Sequence, residues 1–354
     1  MSQFKLHLEQ MHPGVAEMDA VYRFYVEHNN KRSQPGDPVF LLSVTDPEVK
    51  VNGCDVIVPY SVRQSGRDVV VTAELNDYVG GVQSNEQGKC KAKDTYTLQF
   101  KTNFSEKPSF FDDFNTYDLT KWEEGWEYGL PGGRVEDSDL VLEIKREGVE
   151  HNGRRRWGAI VSTANSFTQA FGCFSARMKF PEYGTTPRTC NCAFWLCSNV
   201  LHPETIMYKR NPEADPKDYR CHAGEIDIVE YSPAFGDYTS ASVHWNGWCK
   251  YHKFSGLGGI SAPGIREGYH TLSLVWEPGA LYWYYDGNLI RVYNGEGMQG
   301  VGEEPGAEMA VLLQTGVHRN ADGAWKGTWI GQGRNEDYPT QFRIDWVKVH
   351  ALKR

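Results

Sequence analysis

Gly224-Glu225-Ile226-Asp227-Ile228-Val229-Glu230-Tyr231 sets three acids among aliphatic residues. A strand with one face on a core and the other turned outward produces such alternation, because successive side chains point to opposite faces. Glu225 and Asp227 have the same parity and project to one side. Glu230 has the other parity and on a regular strand would point inward, where an unpaired carboxylate is costly. One extra residue between Asp227 and Glu230, taken up as a β-bulge, returns Glu230 to the side of its partners. The segment therefore predicts a bulged strand in a sheet with one buried face, carrying three acids in a row on the other.

That row suggests a chemistry. With one residue absorbed by the bulge, Glu225 and Glu230 stand about four strand steps apart, roughly 13 Å along the backbone. Two Glu side chains leaning together can close most of that gap. Glycosidases that retain configuration need carboxyls about 5–5.5 Å apart, and inverting ones about 6.5–9.5 Å. Like charges so close push their pKa values apart, which leaves one group ionised and the other protonated. Asp227, between them on the same side, can share a proton with one of the two and hold its geometry. Solvated strand faces also carry acids between Ile and Val, so the rest of the chain must decide.

Outward from this segment the chain reads as strands. Asp55-Val56-Ile57-Val58-Pro59, Asp68-Val69-Val70-Val71-Thr72, Thr95-Tyr96-Thr97-Leu98-Gln99-Phe100, Asp139-Leu140-Val141-Leu142-Glu143-Ile144 and Ala280-Leu281-Tyr282-Trp283-Tyr284-Tyr285 are short alternating or apolar runs between turn residues. Asp286-Gly287, between the last run and Leu289-Ile290-Arg291-Val292, is a hairpin signal. Thirty-six Gly and 17 Pro suit many tight turns, and long amphipathic helices are missing. The expected class is all-β.

A length of 354 residues suits two unequal domains. Residues 101–108 read as a linker closed by Pro108. Residues 1–105 are enough for a small immunoglobulin-like β-sandwich, and residues 106–354 for one large β-sandwich or barrel. The first domain has no Trp, although Tyr60 and Tyr78 are available as sugar-stacking rings, and it is read as a spacer or scaffold.

Composition excludes several classes. Hydrophobic residues make up 40% and charged residues 23%, the balance of a globular chain. The net charge of −9 and the lack of any basic run longer than Arg154-Arg155-Arg156 argue against nucleic acid. No stretch is long enough to span a membrane, so no membrane partner is expected. The N-terminus has no apolar signal core, which leaves a cytoplasmic location or an exported protein whose signal has been removed. The eight Cys form no CxxC pair and no zinc spacing, and read as small buried hydrophobes. Cys54 and Cys90 lie in one predicted domain, and their pairing stays open. Aromatic residues, 13% of the chain, serve sheet cores and sugar platforms alike.

The acid segment resembles the signature Glu-x-Asp-x-x-Glu of glycoside hydrolase family 16, the laminarinase, licheninase, agarase and carrageenase group, which also has a variant one residue shorter. Other matches follow in the family's order. Phe111-Asp112-Asp113-Phe114-Asn115, followed by Trp122, is similar to its opening strand. Phe171-Gly172-Cys173-Phe174-Ser175-Ala176-Arg177-Met178-Lys179 is similar to its GxFxARxK strand, and Ala193-Phe194-Trp195-Leu196 to its AFWL strand. Val243-His244-Trp245 resembles the strand after the acids. Tyr269-His270-Thr271 through Trp276, then Trp283-Tyr284-Tyr285-Asp286-Gly287, resembles its paired strands, and Ile344-Asp345-Trp346-Val347-Lys348-Val349 its closing strand.

The resemblance implies a jelly-roll sandwich for the second domain and endo cleavage of a polysaccharide in a cleft open at both ends, with no cofactor needed for catalysis. It implies Glu225 as nucleophile, Asp227 as assisting acid and Glu230 as general acid/base. Trp195 and His244 would line the site, with Trp245, Trp248, Tyr231 and Arg188 as further substrate-binding candidates. A structural calcium, where the family has one, would fall to Asp345 and Asp113. A β-1,3 or mixed-linkage glucan is the expected substrate of a monomeric enzyme. The rivals are a β-galactan of the agar, carrageenan or porphyran type, transglycosylation, and a lectin-like binder. Departures from the laminarinase pattern at residues 184–192, in the long loop 201–221 and at residues 312–317 bear on that choice.

Overall fold

The computed structural model describes residues 5–12, 19–28, 31–32, 40–65, 67–78, 90–98, 104–125, 130–151, 154–181, 190–198, 224–246, 252–295, 308–317 and 338–353. The chain divides into two compact units, Met1–Glu106 and Lys107–Lys353.

In the first unit, Lys5–His12, Ala20–His28, Asp55–Val58 and Lys50–Asn52 are neighbours in that order, with Lys31–Arg32 also paired to Ala20–His28. A second sheet joins Phe40–Val44, Val70–Tyr78 and Cys90–Thr97. Alternate residues of both sheets, among them Tyr22, Phe24, Val56, Val58, Val71 and Ala73, form one buried cluster. The side chains of Tyr60, Tyr78 and Cys90 lie outside the described residues, so the Cys54–Cys90 question does too.

The second unit is a jelly-roll sandwich of two antiparallel sheets. One has seven strands in the order Glu123–Glu124, Ile160–Ser162, Met309–Gly316, Asn191–Ser198, Glu225–Tyr231, Tyr238–Trp245 and Lys253–Ser261. The other has eight: Gly133–Glu136, Asp139–Ile144, Thr340–His350, Gly172–Lys179, His270–Glu277, Ala280–Tyr285 and Asn288–Tyr293, with Phe110–Asp112 paired to Thr340–His350. The chain passes repeatedly from one sheet to the other, and neither sheet is built from one continuous meander.

Period-two alternation builds the core. Val161, Phe194, Leu196, Ile226, Val243 and Val311 from the first sheet meet Leu140, Phe174, Met178, Leu274, Trp276 and Ile344 from the second. Each such side chain contributes about 1.5–3 kcal/mol on burial. Cys173, Cys190 and Cys192 are buried free thiols, as small hydrophobes would be. The Asp286-Gly287 hairpin forms as a two-residue turn, with Tyr285 opposite Asn288. Both turn residues have positive φ, 46° and 76°, the geometry that matches strand twist and that Asp-Gly accepts cheaply. Among the described residues no helix is long and apolar enough to cross a membrane.

Candidate active site

The Glu225–Tyr231 strand is central in its sheet, between Asn191–Ser198 and Tyr238–Trp245. On one side Cys197 faces Glu225, Trp195 faces Asp227, Phe194 faces Val229 and Ala193 faces Glu230. Ile228 is the extra residue. On the other side His244 pairs with Glu225, Ser242 with Asp227 and Ser240 with Glu230, with the same break in register between Asp227 and Glu230. The partners of the acids are alternate residues on each neighbouring strand, so all three acids share one face. Ile226, Ile228, Val229 and Tyr231 all belong to the core.

Side chains secure the backbone at the bulge. Trp283 Nε1 donates to the Asp227 carbonyl at 2.9 Å from the core side. Thr239 Oγ1 and Ser240 Oγ each donate to the Glu230 carbonyl at 3.1 Å. These bonds satisfy backbone groups on both sides of the insertion, where a ladder is disrupted.

Asp227 is the buried member of the row. Ser242 Oγ donates to its Oδ2, and His244 Nε2 lies 3.3 Å from the same oxygen. Ser242 Oγ and His244 Nε2 are 3.1 Å apart, and His244 Nδ1 is 3.0 Å from His252 Nε2. Burial first and the Asp227 charge second push the Glu230 carboxyl up to about 8, against a hydrogen bond with Asn191 that pulls it down. Glu230 therefore holds its proton at neutral pH, the state a general acid needs. Donor atoms of Glu225, Asp227 and His244 lie within 4.8 Å of one another, the one such group among the described residues. The Ser242 and His244 contacts to Asp227 make it a hydrogen-bonded acid cluster.

The other sequence candidates divide. His244 lies beside the acids, paired with Glu225 across the strands. Trp195 is on the acid face opposite Asp227 but only 4% exposed, packed with Ile160, Ala164, Ala193, Cys197, Ala310 and Leu312. It stands beside Asp227 on the same face of the sheet. Tyr231 and Trp245 are corrections: both belong to the core, because their parity is opposite to that of the acids and of His244. Tyr231 spends its hydroxyl on the Gly236 carbonyl at 3.1 Å. Arg188 and Trp248 lie outside the described residues, as do residues 184–189 and 201–221.

The calcium expectation does not fit either. The Arg177 guanidinium sits directly on the Asp345 carboxylate. Asp113 is exposed and accepts from Asn115 Nδ2 at 2.7 Å. Calcium takes about six to eight oxygens, and a carboxylate already neutralised by a guanidinium is a poor start. The buried acid of the opening strand is its neighbour Asp112, which accepts from Trp122 Nε1 at 2.8 Å.

Four residues were missed. Ser242 shares parity with His244, and Asn191 with Trp195, so both were readable from period-two alternation. His252 and Phe254 were not, because the register of the glycine-rich strand Lys253–Ser261 cannot be counted from sequence. Phe254 pairs with His244 on the acid face, is 63% exposed, and lies parallel to that imidazole at 5.5 Å.

A family model for glycosyl hydrolases family 16 matches residues 131–348. Similar solved structures include the laminarinase catalytic domain from Thermotoga maritima MSB8, at 20% identity and TM-score 0.51, covering 69% of this chain and 98% of that one. The laminarinase from Flavobacterium sp. UMI-01 shares 18% identity at TM-score 0.50, covering 69% of this chain and 100% of that one. A third structure, from work on endo-acting O-glycanases with which human gut microbiota initiate mucin breakdown, shares 19% identity at TM-score 0.51, covering 71% of this chain and 92% of that one. At these identities the likeness establishes the fold. A comparison with curated proteins gave no match. The family match spans both sheets of the sandwich and the whole acid strand, and the chain belongs to glycosyl hydrolases family 16.

Proposed function

We propose that this glycoside hydrolase cuts internal bonds of a β-1,3 or mixed-linkage glucan and retains the anomeric configuration. The observation that carries the proposal is the row of three acids on one face, with Glu230 protonated at neutral pH. Glu230 donates its proton to the leaving glycosidic oxygen while Glu225 attacks the anomeric carbon and forms a glycosyl-enzyme. Glu230, now ionised, takes a proton from water, and the water oxygen attacks the anomeric carbon and releases Glu225. Asp227, fixed by Ser242 and His244, lies beside Glu225 and holds its carboxylate in place. Phe254, exposed on the same face, offers an apolar platform for a sugar ring. The glucan assignment draws on the laminarinases among the similar structures.

Laminarin, lichenan, agarose, carrageenan, a β-1,3-galactan and mucin O-glycans form the test panel, with reducing ends and product lengths followed over time. Laminarin or lichenan is expected to yield a ladder of oligosaccharides whose first-formed anomer, by proton NMR, is β. Glu225→Gln, which removes the nucleophile, is expected to abolish turnover while leaving the fold intact. Cleavage of another polymer alone would overturn the glucan assignment, and an α first product would overturn retention.

A further inference from the structure

Arg291 is a buried cation that the chemistry above does not use. It belongs to Asn288–Tyr293, in the sheet opposite the acids, and is 8% exposed. Its guanidinium crosses the sandwich to the acid sheet. Nη1 donates to the Ala241 carbonyl, and Nη2 donates to Ser255 O and Oγ at 3.0 Å each. Among the described residues no carboxylate lies within ion-pair distance of it. A buried charge without a counter-ion is expensive even when hydrogen-bonded, so its retention needs a reason.

The surroundings supply one. The Arg291 guanidinium lies 4.6 Å from the centre of the Trp283 ring. Trp283 is fully buried, and its N–H is the donor to the Asp227 carbonyl at the bulge. A cation over the indole face draws electron density from the ring and strengthens that donor. Burial pushes the Arg291 pKa down, and Tyr293 first and the Asp227 charge second work against the fall.

We propose that Trp283 and Arg291 are positioning residues for the acid row. Trp283 pins the Asp227 carbonyl and so keeps the inserted residue at Ile228, and Arg291 holds Trp283 and places positive charge on the core side of Asp227. Neither residue touches substrate. The proposal rests on the three acids being the catalytic group, and its test needs no glycan.

The readout is the pKa of Glu230, followed by carbon-13 NMR of carboxyl-labelled Glu in the full chain. In the parent, Asp227→Asn is expected to lower that pKa, because the Asp227 charge helps to raise it. The same measurement is then made with 3-benzothienylalanine at position 283, which puts sulfur where the indole N–H was and keeps the ring's size and its contact with Arg291. The Asp227→Asn effect is expected to fall below half its parental size, with near-ultraviolet circular dichroism and cooperative melting retained. Arg291→Lys is expected to keep more of the coupling than Arg291→Met. Equal coupling in the parent and the isostere would overturn the proposal. So would loss of folding in the isostere, which would assign the hydrogen bond to general stability. Failure of the parent to cleave any polymer in the panel bears on the substrate and leaves this titration readable.

Discussion

Glu230 is held far from the ordinary carboxyl range. It shares a face with Asp227, and burial together with the Asp227 charge raises its pKa to about 8. Activity is therefore expected to fall as pH rises through about 8, where the acid loses its proton. The same shift acts on stability. A folded-state pKa above the unfolded value means that the folded chain holds the extra proton between about 4.5 and 8. The resulting stabilisation is full below the unfolded pKa and is lost as pH rises through the folded one. In Glu230→Gln this slope should disappear, with a gain over the parent of a few kcal/mol at pH 9 and a negligible one at pH 4. Chemical denaturation at both pH values checks it. The parity conflict at Glu230 made the acid row legible in the sequence. Tyr231 and Trp245 were misplaced because proximity to the acids was weighed above parity, which sends both to the core.

At the scale of elements, the bulge makes the site. Deleting Ile228 leaves Glu225, Asp227 and the last acid alternating on a regular strand, the spacing of the family's shorter signature. This variant is expected to fold with its acids on one face and to keep measurable activity. It should lose about 1.5–3 kcal/mol of stability, the worth of one buried Ile side chain. Inserting one Ala after Val229 should instead turn Glu230 toward the core and reduce activity at least 100-fold, an effect in the range of lost general acid catalysis. Thermal melts and initial rates of the two variants separate these outcomes. The runs 139–144 and 280–285, together with the Asp-Gly turn, were legible because alternation and turn chemistry are local. Strand order was not legible from alternation. His252 and Phe254 reach the acid face through a pairing between Tyr238–Trp245 and Lys253–Ser261 whose own register shifts between Thr239 and Ala241.

At the scale of the whole molecule, the buried clusters of Met1–Glu106 and Lys107–Lys353 have no residue in common. Lys107–Lys353 expressed alone is therefore expected to melt cooperatively and to keep the full chain's rate on soluble substrate, as calorimetry and reducing-end assays would show. The many short alternating runs and the absence of long amphipathic patterns were enough to point to an all-β chain, since both are spread over the whole sequence. The Arg177–Asp345 pair was beyond such reading, because the two residues are 168 positions apart and meet only when the closing strand docks. The measurement that reaches the acid row most directly is the titration of Glu230 by carbon-13 NMR in the unmodified full chain. A midpoint of about 8 is expected, with Glu230 protonated at neutral pH. A midpoint near the ordinary 4.5 would contradict it, because an ionised Glu230 could not give the leaving oxygen its proton.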